Sequence, residues 1–258
     1  MGFASLGIFI SLVIWQALSA ILGPVRLPSP ITSLSTFAVL PFHSQRLAAA
    51  GLGGEGGIAA SLVYTFSMCL VGIGIGAFAG VLIGLTMSRS QVLRNLLEPP
   101  IEFARAVPPL VLVPFLGMWM GPGMAAQIIL VGVYVGLMTL ITTINAVDHL
   151  KPVYARFSST LGATQQQVFR TVTVPAVIPE IVGGLRVSIG VAWGLQVIAE
   201  LVGSQYGVGI AILMMVPRMM TAEIIATVLW VALIAFIFDV LFLAIVNRLT
   251  SWKPREAS

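Results

Sequence analysis

DHLKPVYARFSSTLGATQQQVFRTVTVPAVIPEIVGGLR, Asp148 to Arg186, is the only long polar segment lying between strongly apolar runs. It carries Lys151, Arg156, Arg170, Arg186 and three consecutive glutamines, Gln165 to Gln167, in a chain with only 9% charged residues. Its local signals predict a compact helix-turn-helix. Phe157 and Leu161 stand at helical spacing, and Gly162 supplies a left-handed stop. Thr164 precedes Gln167 by three residues, the pattern of a capping box that satisfies free amides at a helix start. Val168, Phe169 and Val172 form an apolar stripe on a second short helix, which Pro175 and Pro179 are expected to end before the next apolar run. A polar, locally ordered segment of this kind is read as a docking surface for another protein, with a structured loop that has no partner as the competing reading.

Outward from it, composition sets the class. Of 258 residues, 58% are hydrophobic, and the mean hydropathy of +1.04 lies far outside soluble usage. Apolar runs near the roughly 20 residues a bilayer demands leave room for about six spans in one membrane domain, residues 1–258. The net charge of +4 does not indicate nucleic acid, because the basic residues sit at the ends of apolar runs and form no stripe. The single cysteine, Cys69, lies inside an apolar run, so it reads as packing and forms no intrachain disulfide or Cys-based metal cluster.

The first span is placed at 6–22. Met1 to Ser5 holds no Lys or Arg, so this run reads as a retained helix despite the peptidase-like Ala17-Leu18-Ser19-Ala20. Gly23 to Ala60, with Leu27-Pro28-Ser29-Pro30 and Gly51 to Gly57 as breakers, is expected to be irregular. The second span, 61–87, places Gly72, Gly76, Gly80 and Gly84 on one face for close helix packing. Pro99-Pro100 is expected to break the helix in the loop that follows. The third span, 105–120, contains Pro108, Pro109 and Pro114 and should be short and kinked; Gly121-Pro122-Gly123 then turns the chain into the fourth, 124–147. The central segment occupies 148–184, the fifth span 185–202 and the sixth 223–246.

Orientation follows from the Lys and Arg count. The loop after span two, the central segment and the C-terminal tail (Arg248, Lys253, Arg255) together hold all but Arg26, Arg46 and Arg218 of the 13 basic residues. Both termini and the central segment are therefore expected on the cytoplasmic side.

Chemistry is sparse. The only lysines, Lys151 and Lys253, follow Leu150 and Trp252, so no Gly-Lys-Ser/Thr phosphate loop exists in this chain. Clustered histidines, paired carboxylates and nucleophile motifs are missing, which argues against an enzyme and leaves no metal or catalytic residues to name. Among the polar residues inside spans are Thr139, Thr142 and Thr143 on the fourth, Trp193, Gln196 and Glu200 on one stripe of the fifth, and Asp239 in the inner half of the sixth. The threonines and the stripe of the fifth span are the candidates for a translocation path, with helix packing as the competing explanation.

Gly162, followed ten residues later by Val172 and then by Val174-Pro175, resembles the E-A-A-x3-G-x9-I-x-L-P loop of binding-protein-dependent ABC importer permeases. Pro108-Pro109-Leu110 with Trp119, Val174-Pro175-Ala176 through Pro179, Gly184-Leu185-Arg186, Trp193 and Ala199-Glu200 resemble its nitrate/sulfonate/taurine/bicarbonate branch. The chain departs from the pattern where Arg156-Phe157-Ser158 replaces Glu-Ala-Ala and two valines replace Ile and Leu. The resemblance implies an all-α type I importer permease fold in the bacterial plasma (inner) membrane. It also implies that Arg156, Phe157, Ser158, Leu161, Gly162, Thr164, Gln167, Phe169, Val172 and Pro175 couple the chain to two cytoplasmic ATPase subunits. ATP and Mg would be bound by those partners and no cofactor by this chain. A second permease subunit, giving a homodimer, and an extracytoplasmic substrate-binding protein complete the implied assembly, within membrane lipid and without nucleic acid. The alternative class is an ATP-independent carrier or channel for a small solute.

Overall fold

In hydrocarbon every backbone N–H and C=O must be satisfied within its own segment, so long apolar runs become helices. The computed structural model describes residues 2–49, 57–121 and 123–249, and these contain helices and turns but no strand. Lys253 and Arg255 of the tail, Pro122 and most of the Gly51 to Gly57 run lie outside the described residues. In chain order the α-helices are α1 (Gly2–Leu22), α2 (Pro30–Val39), α3 (Gln45–Ala49), α4 (Ala59–Arg89), α5 (Gln91–Ala106), α6 (Pro109–Met120), α7 (Met124–Asp148), α8 (Pro152–Thr160), α9 (Gln165–Val168), α10 (Val174–Gly203), α11 (Val208–Met215) and α12 (Thr221–Leu249). Five helices are long and apolar enough to cross a membrane, or up to six if the bent pair α5 and α6 counts as one.

The described residues gather into two compact units. The first comprises those within Met1–Ser67 and Val197–Phe236. Its core is formed by Leu40, Leu47, Ile58, Leu62, Val208, Met215, Met220 and Ala226. Trp230 stacks on Phe37, with ring centroids 4.6 Å apart, and its Nε1 donates to the Phe37 carbonyl at 2.7 Å. Arg46 of α3 reaches the nearly buried Glu223 in the first turn of α12 at 3.0 Å. α1 is tied to the turn after it, Trp15 Nε1 donating to the Pro28 carbonyl and Ser19 Oγ to that of Leu27. Most of its apolar surface is exposed, as suits a helix that meets lipid.

The second unit comprises Met68–Gln196 and the described residues of Ile237–Ser258. Its organising contact is the seam between α4 and α7, where the four glycines expected on one face of α4 meet α7 directly. A Cβ on Gly76 would strike the Gly132 carbonyl oxygen, and one on Gly80 that of Gly136. At Gly72 it would lie 2.8 Å from the Val131 side chain, and at Gly84 2.7 Å from Thr143 Cβ. Glycine on both helices lets backbone meet backbone, and in lipid such packing takes the place of a hydrophobic driving force.

Four expectations need correction. The 23–60 stretch is partly helical: Ser29 caps α2 by accepting from the Thr32 amide, and Pro30 occupies the first helical position, where its missing N–H costs nothing. Pro99 and Pro100 lie inside α5; their rings and the Asn95 and Leu96 positions one turn earlier are all exposed, so the helix continues along an open face. The third span is not one element from Arg105: α5 ends at Ala106, and α6 leaves at 95° with only 12 residues, about 18 Å of rise. Finally, Pro175 and Pro179 do not end a helix before residue 185, because both lie within α10, which begins at Val174.

The glycine seam predicts a sharp contrast. Gly76→Leu should lower the unfolding temperature of the purified protein by many degrees, whereas Gly74→Ala, whose Cβ would meet nothing within 4 Å, should leave it unchanged or raised. Tryptophan fluorescence on heating in detergent reads both, and equal behaviour of the two variants would refute the seam.

Candidate functional site

The polar segment folds into two short helices stiffened at each joint. α8 ends in a turn in which Gly162, at φ 83°, donates to the Ser159 carbonyl and Ala163 to that of Ser158. This pairing of the two amides after the cap with the last turn's carbonyls is the Schellman arrangement, and only glycine adopts the φ without strain. The expected capping box is present: the Thr164 hydroxyl accepts from the Gln167 amide at 3.3 Å, and Gln167 Oε1 accepts from the Thr164 amide at 2.8 Å. Ser158 Oγ is turned inward to the Tyr154 carbonyl.

Val168 is buried, while Phe169 and Val172 are half-buried. Between α9 and α10 the chain makes a π-helical turn, Phe169–Thr173, in which the Val174 amide reaches back five residues to the Phe169 carbonyl. This wider turn lies immediately before Pro175, the second residue of α10, and the helix continues past the proline without a break. Gln165 to Gly203 consequently runs as a single helical rod of 39 residues.

Contacts absent from the sequence reading hold the root of this segment. Arg94 of α5 makes a forked pair with Asp148, at 2.9 and 2.7 Å, and also reaches Glu98. His149 Nδ1 lies 2.9 Å from Glu180 Oε1 on α10. The Arg89 guanidinium sits 4.7 Å from the Phe169 ring centroid. Each such surface contact contributes up to about 1 kcal/mol, but together they fix both ends of the segment. At its far end the apolar tips stand free: Phe157 is 65% exposed and Leu161 73%, with Arg156 exposed beside them. No spacing rule could have paired Arg94 with Asp148 or His149 with Glu180, 54 and 31 residues apart.

The membrane polar residues occupy helix contacts. Thr139 and Thr143 are fully buried against Gly80 and Gly84, and Thr142 packs on Gly184. Thr142 and Thr143 bond back to the Met138 and Thr139 carbonyls. Gln196 of α10 donates to buried Gln127 of α7 at 3.0 Å, and the Trp193 ring meets Phe238 edge-on at 6.0 Å. These five residues belong to the second unit.

Glu200 belongs to the first unit, where it is completely buried and bonds to residues of α4 and α11. Its Oε2 accepts from the Thr65 hydroxyl and from the Gly209 amide, both at 2.9 Å, while the Val208 amide donates to Thr65 Oγ1 at 3.0 Å. The carboxyl of one helix thus caps the start of another, satisfying amides that α11 cannot satisfy itself. The fit excludes larger neighbours: Gly207 has φ 106°, and a Cβ there would lie 2.5 Å from the carboxyl.

Comparison with known proteins bears on the whole chain. The sequence signature of the family described as binding-protein-dependent transport system inner membrane component matches residues 72–252. The taurine transport system permease protein TauC of Escherichia coli (strain K12) is 29% identical over 247 residues, covering 93% of this chain and 86% of that protein. The nitrate import permease protein NrtB of Synechococcus elongatus is 28% identical over 204 residues, covering 78% and 71%. Among solved structures, the fold resembles a chain of the MetNI methionine ABC transporter in an inward-facing conformation, with TM-score 0.60 and 20% identity over 78% of this chain and 98% of that one. It also resembles an amino acid ABC transporter, with TM-score 0.57 and 17% identity over 76% and 94%. These likenesses show the type I ABC importer permease fold.

The Glu200 cap predicts an ordered series. Glu200→Ala leaves buried amide and hydroxyl groups without their acceptor and should destabilise the protein by about 1–3 kcal/mol; Glu200→Gln, which keeps an acceptor oxygen, should cost less. Thermal unfolding of the purified variants checks this, and indistinguishable Ala and Gln variants would contradict the capping role.

Proposed function

The chain belongs to the binding-protein-dependent transport system inner membrane component family and is the permease subunit of an ABC importer; from that premise we propose how it is driven and what it carries. It pairs with a second copy of itself in the inner membrane with both termini cytoplasmic, and two ATPase subunits that bind ATP and Mg grip α8 and α9. An extracytoplasmic binding protein delivers the solute, a small anion or zwitterion of the nitrate, sulfonate or taurine kind. The two relatives named for taurine and nitrate support this class. The path runs where the paired subunits meet, flanked by helices that Thr139, Thr142, Thr143, Trp193 and Gln196 pack together.

The observation that carries the coupling role is the contrast between a segment capped at every joint and its uncovered apolar tips, Phe157 and Leu161. ATP-driven closure of the ATPases displaces those tips, and α10, continuous with the segment through the π turn, carries the displacement into the membrane. A slack loop would absorb the motion instead. Arg156, Ser158, Gly162, Thr164, Gln167, Phe169, Val172 and Pro175 serve by shaping and stiffening the grip.

A Cβ at Gly162 meets nothing within 4 Å, so Gly162→Leu strains only the backbone, by about 1–2 kcal/mol. In proteoliposomes holding the complete transporter, this variant should lose most solute uptake and solute-stimulated ATP hydrolysis while remaining assembled in the membrane. Full uptake would refute the coupling role. Uptake by the permease reconstituted without ATPases would instead indicate a carrier or channel.

A further inference from the structure

Between Asp148 and Glu180 the chain contains no carboxylate, while Lys151, Arg156 and Arg170 lie in that interval. All three are exposed, and none is among the ion pairs. Three other arginines of the same unit are matched, Arg94 with Asp148 and Glu98, Arg105 with Glu102, and Arg186 with Asp239, while Arg89 lies over the Phe169 ring. Local geometry adds to the positive field. Lys151 sits at the N-cap of α8 with no side chain capping the helix, so its charge adds to the positive end of the helix dipole instead of opposing it. Arg156 lies three residues beyond exposed Val153 and next to exposed Phe157. Phe157 and Arg156 therefore share α8, with Lys151 and Leu161 at its two ends and Arg170 in the π turn after α9.

We propose that the groove of the ATPase subunit receiving α8 is rimmed by carboxylates facing Lys151, Arg156 and Arg170. This rests on the coupling role assigned above and specifies the chemistry of the partner. Phe157 and Leu161 supply the apolar insertion, and the surrounding charges set the approach and the register, as complementary charge does at interfaces generally. The favoured occupant is a protein groove and not a headgroup layer. α8 is bracketed by joints that hold its apolar tips in place, a fixed projection that suits insertion into a groove.

The test is capture of the permease by its tagged ATPase in detergent at about 0.05 and about 0.5 M NaCl, between which the screening length falls severalfold. Wild-type capture should weaken severalfold across that range. Arg156→Glu should reduce capture about tenfold at low salt and flatten its salt dependence, and Arg156→Lys, which keeps the charge, should restore both. Arg156 has no ion-pair partner to lose, and unchanged thermal unfolding of each variant verifies the fold. Salt-independent capture with Arg156→Glu binding normally overturns the acidic groove while leaving docking intact. Normal capture combined with lost binding to phosphatidylglycerol vesicles also overturns it, assigning the patch to lipid. Failure of the wild-type permease to be captured at either salt defeats the coupling role itself.

Discussion

The close approach of α4 and α7 is the constraint from which the rest of the second unit follows. Where Gly76 and Gly80 meet the carbonyls of Gly132 and Gly136, there is no room for a single carbon atom. Lipid offers apolar side chains no reason to prefer a neighbouring helix, so shape must do what the hydrophobic effect does in water. A seam this tight fixes the rotation as well as the distance of α7. That in turn places Asp148, its last residue, beside Arg94, and His149 beside Glu180. The base of the polar segment is thereby set by glycines buried between two helices.

From that base the segment is built to keep its form. Its devices are individually small: a left-handed glycine, a reciprocal threonine and glutamine cap, a cation over a phenyl ring, and a π turn that admits a proline. Each removes one freedom at one joint. The result is a short arm whose apolar end is exposed while its attachments are fixed. The prolines illustrate how context decides meaning. Pro30 starts a helix, Pro99 and Pro100 are carried along an open face, and Pro175 follows a π turn within a helix that continues past it.

In the first unit, Glu200 shows polar chemistry used for construction. A carboxyl group in an apolar setting invites a functional reading, yet its bonds to Thr65 and Gly209 join α4, α10 and the start of α11. Gly207 and Gly209 leave space for it. The same holds for Thr139 and Thr143, whose hydroxyl-bearing carbons fill the hollows left by Gly80 and Gly84.

The sequence alone determined the helical class, the membrane setting, the glycine face of α4 and the cap at Thr164, because each depends on periodicity or on residues within a few positions of one another. The family motifs running from Pro108 to Glu200 were legible for the same reason. Only the tertiary structure decided that α5 and α6 part at a right angle, that Gln165 to Gly203 is one rod, and that Arg94, Arg89 and Glu180 hold the arm at its base. Those outcomes depend on which carbonyl faces open space and which side chain arrives from dozens of residues away, and no local pattern encodes either.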